Sequence, residues 1–251
     1  MPTNRIALIT GANQGMGKQV ATELVDEGVT VFLGSRDIAR GQTAAAEIGE
    51  GAIALQLDVT DTASIAAAAG RIHQEAGRLD LLVNNAAVST TRTDLRDLAE
   101  LRDSSKASSV PVDEVRAVWD VNVFGALGVY QAMLPLLRES SDARIVNVTS
   151  AVGSLTTVAD PSFPFHSAFE PVYAASKTAL NAVTLSMMIE LEDTDIKVNL
   201  VSPGFANTAL VNFEGTESVE DASREVVRVA RLGHDGPSGT FTLWEGVDLP
   251  W

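Results

Sequence analysis

Tyr173 and Lys177 stand four residues apart in Tyr173-Ala174-Ala175-Ser176-Lys177. On a helix that spacing puts a phenol and an ammonium one turn apart on the same face. A neighbouring positive charge favours phenolate and draws the tyrosine pKa toward neutrality. Such a tyrosine could hand a proton to a carbonyl oxygen while a hydride reaches the carbon. Taken alone the pair carries little weight. A second feature supplies it.

That feature is Thr10-Gly11-Ala12-Asn13-Gln14-Gly15-Met16-Gly17, which joins the first apolar strand to the first helix. Three glycines allow a tight turn and close backbone approach to a pyrophosphate, whose charge then rests on the helix N-terminus. Placed between strand and helix, the run meets the structural context that dinucleotide binding requires. The candidate cofactor residues here are Gly11, Asn13, Gln14, Gly15, Met16 and Gly17. The second strand ends at Ser35, Arg36 and Asp37, where an adenosine ribose would lie. Ser35 and Arg36 make that position polar to basic, which suits a 2′-phosphate and favours NADPH. The alternative is Asp37 on a free 2′-hydroxyl, with Arg36 an ordinary solvated charge.

These residues need a scaffold, and the hydropathy pattern describes one. Apolar runs at 5–10, 29–34, 52–57, 79–84, 143–149, 197–202 and 239–243 read as strands. Amphipathic segments at 15–27, 39–50, 62–76, 112–134, 172–191 and 219–231 read as helices. Gly28 and Gly77 stand where left-handed caps are expected. Strict alternation implies crossover units and one parallel seven-stranded sheet covered by helices on both faces. With no linker or repeat, the 251 residues form one α/β domain. Residues 90–111 are polar and read as a surface loop. Residues 151–171 carry three prolines and three phenylalanines, which is too much exposed aromatic surface unless it lines something.

Composition removes several function classes. The 33 acidic and 18 basic side chains give a net charge of −15, which repels nucleic-acid phosphates and anionic membranes. No cysteine is present, so disulfides, thiolate nucleophiles and cysteine-ligated metals are out. The three histidines, His73, His166 and His234, are scattered, so no metal site is expected. No signal peptide or long apolar run is visible, and a soluble cytoplasmic protein is expected.

Taken together, the sequence resembles the classical short-chain dehydrogenase/reductase family over nearly its whole length. The resemblance rests on the glycine turn, Asp58 after the third strand, Asn84-Asn85-Ala86, Asn122 in Asn122-Val123-Phe124-Gly125, Ser150, Tyr173 with Lys177, and Pro203-Gly204 followed by Thr208. It implies a doubly wound Rossmann-type fold and the interconversion of a carbonyl and an alcohol by hydride transfer with a nicotinamide cofactor. Tyr173 would be the proton donor, and Ser150 would bond the substrate oxygen. Lys177 would bind the nicotinamide ribose and depress the tyrosine pKa, with Asn122 holding a relay water behind it. Asp58 and Val59 would meet the adenine, Asn85 and Ala86 the ribose side. Pro203, Gly204, Phe205, Ala206 and Thr208 would meet the nicotinamide end.

Residues 35–42, the Gly236-Pro237-Ser238-Gly239 turn and the terminal Pro250-Trp251 are similar to the carbonyl reductase branch. That branch implies NADP(H), a small carbonyl substrate, and a monomer in preference to a homodimer. The 23 positions from Ser150 to Tyr173 look like its characteristic insertion. Val152, Phe163, Phe165 and His166 then join Ser150 and Phe205 as the substrate-pocket wall. Departures are Ala87 where glycine is common and a short 208–218 stretch where relatives carry a longer lid, which implies an open pocket. The function expected is NADPH-dependent reduction of a ketone or aldehyde. A dedicated biosynthetic ketoreductase for a polyketide or acyl chain, and a non-catalytic NADPH sensor, are the alternatives.

Overall fold

Ile6 and Leu8 of the first strand, β1 (Ile6–Thr10), enter one apolar core, while Ala7 and Ile9 enter a second on the opposite side. A strand alternates its side chains between faces, so a run apolar at every position is one covered twice. The computed structural model describes residues 5–95 and 97–251. After β1 come α1 (Gly15–Asp26), β2 (Thr30–Ser35), α2 (Ile38–Ile48), β3 (Ala52–Gln56), α3 (Thr62–Ala76) and β4 (Leu81–Asn84). The chain continues with α4 (Leu98–Ser104), α5 (Val112–Trp119), a π-helical turn (Asp120–Gly125), α6 (Ala126–Arg138) and β5 (Arg144–Val148). It then forms α7 (Leu155–Ala159), α8 (Ala174–Glu190), β6 (Lys197–Val201), α9 (Val219–Ala230), β7 (Phe241–Leu243) and β8 (Val247–Asp248).

The sheet order is β3-β2-β1-β4-β5-β6-β7-β8. The seven expected strands are all present and parallel, and a two-residue eighth, β8, pairs antiparallel with β7 at the edge. Strand order reverses between β1 and β4, which is where such sheets open a ligand crevice at their carboxyl ends. One face carries α3, α6 and α8, with Ile72, Met133, Leu137 and Met187 in its core. The other carries α1, α2 and α9, with Leu24, Ala44 and Val226 in its core. Gly77 closes α3 in the left-handed conformation at φ 74°, as its position suggested.

Three features depart from the sequence pattern. Helix 112–134 extends to Arg138 and contains the π turn, because Pro135 sits late enough for the remaining ladder to hold. By length and composition Val112–Arg138 could cross a membrane, yet 56% of its most apolar window is buried inside the fold, as in a core helix. The two irregular segments each contain a short helix, α4 and α7, started by Asp97 and Ser154 side chains that accept helix amides. Their polar composition masks this, since a one- or two-turn helix shows too little periodicity to read.

Asp80 fastens the amino-terminal edge of the sheet. Its carboxylate accepts from the Ile6 amide at 2.8 Å, Arg78 Nε at 3.0 Å and Ser140 Oγ at 2.6 Å. Removing it would leave a buried amide without a partner. Asp80→Ala should lower unfolding free energy by about 2–4 kcal/mol; urea denaturation measures this, and a loss under ~0.5 kcal/mol would contradict it.

Candidate active site

The turn after β1 is shaped by what its glycines lack. Gly11 and Gly15 adopt φ 66° and 56°. A Cβ on Gly17 would lie 2.5 Å from Asn85 Nδ2 and 2.7 Å from the Gly11 carbonyl, so α1 can pass this close only without one. Thr10 Oγ1 accepts from the amides of Asn85 (3.0 Å) and Ala86 (2.9 Å), and Asn85 Nδ2 donates to the Thr10 carbonyl (2.9 Å). Asn85 and Ala86 therefore brace the turn directly. Asn13, Gln14 and Met16 complete its rim. Gln14 gives α1 no side-chain cap, and its first turn has no acidic residue, so its amides and dipole face outward for an anion.

At the end of β2 the three candidates divide. Ser35 is buried and its hydroxyl donates to the Asp37 carbonyl at 2.6 Å. Asp37 caps α2, accepting from the Ala39 and Arg40 amides at 3.0 and 3.2 Å, with Arg40 3.6 Å away. Arg36 is exposed, and no hydrogen bond or ion pair engages it among the described residues. Asp58 turns its carboxylate onto Thr60, amide and hydroxyl, at 2.9 and 2.7 Å. Val59 packs so closely on Gly125 that a Cβ there would be 2.9 Å away, which joins the adenine side to the π turn.

Tyr173 is the residue at which α8 begins. Ser150, the residue after β5 that starts a short 3₁₀ turn with Val152, lies close enough to the phenol to ease its ionisation. Lys177, only 2% exposed, donates from Nζ to the Val148 carbonyl at 2.9 Å and sits 5.6 Å from the Tyr173 ring centre. Burial pushes the Lys177 ammonium down to about 7. Burial also pushes the Tyr173 phenol up to about 12, opposed by Ser150 and reinforced by the Glu170 charge. The drop toward neutrality expected from a lysine neighbour is thus not what this geometry gives. Desolvation of the phenol itself is the largest effect.

Asn122 lies in the π turn, a form that tends to mark functional positions. Its Oδ1 accepts from the Val88 amide (2.9 Å), and Nδ2 donates to the Val88 carbonyl (2.9 Å) and to Ser176 Oγ (3.0 Å). Ser176 in turn donates to the Tyr173 carbonyl at 2.6 Å. The Asn122 side chain therefore connects the loop after β4 to the start of α8. Glu170 and Glu217 went unread in the sequence, because a lone glutamate outside a motif gives no signal, and Ser176 was passed over as the spacer before Lys177.

On the substrate side, Phe165 packs between Phe163 and Phe205, with ring centres 5.7 and 5.9 Å away. The 151–171 segment thus meets the loop after β6 through Phe165, while Phe165 and Phe169 themselves stay exposed. His166 is exposed and its Nδ1 bonds the Val158 carbonyl at 2.7 Å, so it secures α7. In the post-β6 loop the Glu217 carboxylate accepts from the Phe205 amide at 2.8 Å and fills the space a Gly204 Cβ would occupy. Ala206 bridges to Glu217, and the Thr208 methyl lies 3.6 Å from a Cβ position on Gly15. Pro203 to Thr208 therefore arch back toward the glycine turn.

The 90–111 segment reaches the same loop. Ser89 Oγ donates to the Leu210 carbonyl at 2.5 Å, and the Leu98 amide donates to Glu214 at 2.8 Å. A cavity of about 580 Å³ in that segment, lined by Arg92, Asp94, Asp97, Glu100 and Asp103 among others, shares no residue with the Tyr173 site. Among the described residues no group of three or more His, Asp or Glu is placed to hold a metal ion.

Comparison with known proteins agrees with this geometry. The family model described as short chain dehydrogenase matches residues 5–218. The chain is 31% identical to (+)-neomenthol dehydrogenase from Arabidopsis thaliana, covering 95% of this chain and 96% of that one. Salutaridine reductase from Papaver somniferum superposes with a TM-score of 0.80 at 28% identity, covering 96% of this chain and all of that one. NADPH-bound carbonyl reductase from chicken fatty liver superposes at 0.81 and 24% identity over 99% of both chains, a likeness of fold.

The buried lysine yields a stability prediction. Between pH 7 and 10.5 the unfolded chain holds the Lys177 proton and the folded one releases it, so this group's cost to stability is full below pH 7 and fades as pH rises. Lys177→Met should therefore raise the melting temperature, by an amount equivalent to about 2–4 kcal/mol at pH 6 and clearly less at pH 9. A gain that is equal at both pH values, or absent at pH 6, would contradict the shift.

Proposed function

The chain belongs to the short-chain dehydrogenase family, and from that premise we propose that it reduces a ketone or aldehyde to an alcohol with NADPH. The observation that carries the reading is Tyr173 beside the buried Lys177, 5.6 Å from its ring centre, with Ser150 acting on the phenol and an uncapped glycine turn at the start of α1. The residues suit the cofactor: open α1 amides for the pyrophosphate, an unengaged Arg36 for a 2′-phosphate, and an Asp37 already committed to α2. The neomenthol dehydrogenase and carbonyl reductase names support the carbonyl–alcohol chemistry, and the latter's bound NADPH supports the cofactor.

Bound NADPH supplies the hydride. Ser150 donates its hydroxyl hydrogen to the carbonyl oxygen as negative charge grows there. Tyr173 keeps its proton until that oxygen is basic enough to take it, since a phenol pushed up to about 12 is still far more acidic than an alcohol. Lys177, beside the phenol, would meet the nicotinamide ribose of a bound cofactor, and the Asn122–Ser176 pair holds the start of α8 in place. The Phe163, Phe165 and Phe205 rings give the substrate an apolar wall. The short turn at 208–218, whose helical part is the three residues Ala209–Val211, supports a wide entrance.

Cofactor oxidation with activated ketones, aldehydes and quinones, run with NADPH and NADH in parallel, tests the reading. Tyr173→Phe should lower kcat/KM about 10³-fold or more while NADPH affinity stays within about threefold. Retained turnover would remove Tyr173 from the chemistry. Arg36→Ala should weaken NADPH about 10- to 100-fold, the size of a lost charge-assisted contact, and leave NADH nearly unchanged. Equal losses for both cofactors would remove Arg36 from the 2′-phosphate.

A further inference from the structure

Glu170 sits in the Pro/Phe segment just before α8 and does more than end a loop. Its carboxylate accepts from three successive amides: Val172 at 2.5 Å, Tyr173 at 2.8 Å and Ala174 at 2.9 Å. Its carbonyl accepts from a fourth, Ala175, at 3.0 Å. A helix begins with amides that have no partner inside it, and here one residue satisfies the run. Trp119 Nε1 donates to the Pro171 carbonyl at 3.1 Å and fixes the same entry from the α5 side. One of the four amides belongs to Tyr173 itself, so the charge is anchored at the catalytic residue.

We propose that Glu170 is a positioning residue for the reaction: it locks the start of the catalytic helix and, by its negative charge, keeps Tyr173 in the proton-bearing form. The proposal rests on the oxidoreductase reading and extends it. Two effects act together. The carboxylate cancels the positive end of the α8 dipole, which would otherwise favour phenolate. It also acts directly on the phenol, in the same direction as burial. Among the described residues the other groups bearing on the phenol are Ser150, which favours its ionisation, and Lys177, whose ammonium is weakened by burial. Glu170 thus adds to burial in holding the proton that an incoming carbonyl needs, and its effect shows at the alkaline end of the titration.

The chain is well suited to a direct test because it holds two tyrosines. The second, Tyr130, is held well above the ordinary phenol value by burial and by the Glu190 carboxylate it donates to at 2.9 Å. Ultraviolet titration of phenolate absorbance therefore reports Tyr173 first, and Tyr173→Phe identifies its signal. Glu170→Gln keeps an acceptor oxygen and loses the charge. It should lower the Tyr173 midpoint by about half to one pH unit, raising the phenolate fraction at pH 10 about three- to tenfold. The alkaline limb of the kcat/KM profile for carbonyl reduction should move down by the same interval. Glu170→Asp should keep the wild-type midpoint, and Glu170→Ser is a second neutral variant should the glutamine protein not fold, since serine also accepts helix amides. A midpoint unmoved in a neutral variant, with rates lowered equally at every pH, would overturn the proposal and leave Glu170 a structural anchor. Absence of turnover in the wild-type protein would instead refute the oxidoreductase reading, while the phenol titration would still decide the role of Glu170.

Discussion

The site depends on how closely α8 lies along the end of β5. Gly153 touches the backbone of Lys177 so tightly that a Cβ would be 2.9 Å from its carbonyl carbon. Asn147 Nδ2 reaches Thr184 Oγ1 at 2.8 Å, Thr149 Oγ1 reaches Asn181 Oδ1 at 2.6 Å, and Asn181 Nδ2 reaches the Gly153 carbonyl at 3.1 Å. Polar pairs inside a dry seam are costly to break and so fix the sliding of helix against strand. That register carries Lys177 under the crevice and sets Tyr173 against Ser150. The same dryness destabilises the ammonium, so the feature that positions the lysine is also the one that lowers its proton affinity.

Helix beginnings show a second division of labour. Asp37 closes α2, Asp61 closes α3 and Ser218 closes α9, each accepting a helix amide. Glu170 closes α8 from outside the helix. The start of α1 has no such partner, and it stands at the reversal of strand order between β1 and β4. The dipole is common to all five helices. α5 likewise starts without a side-chain cap but carries Asp113 and Glu114 in its first turn, so α1 is the start left open to an anion by both measures.

The reacting groups sit on rigid elements, whereas the substrate end is assembled from three loops. The segment after β5 brings Phe163 and Phe165, the loop after β6 brings Phe205, and the segment after β4 ties itself to Leu210 and Glu214. These loops hold one another through single hydrogen bonds and ring contacts, and Phe213, 68% exposed, has no cover. A scaffold of this kind keeps one proton–hydride reaction while loop chemistry selects the carbonyl compound.

The sequence by itself determined the parallel sheet, its seven principal strands, the glycine turn and the pairing of Tyr173 with Lys177. Each depends on local periodicity or on spacing within one turn, which the chain order records directly. It did not determine the third residue of that pair's environment. Glu170 is indistinguishable in the sequence from any loop glutamate, and its four amides become partners only when the chain turns into α8. Likewise Ser35, Arg36 and Asp37 are three adjacent polar residues until the fold buries the first, caps a helix with the third and leaves Arg36 unengaged. The tyrosine's own acidity was beyond local reading for the same reason. Spacing shows that an ammonium is near, but only tertiary burial decides that the phenol is pushed up and the ammonium down.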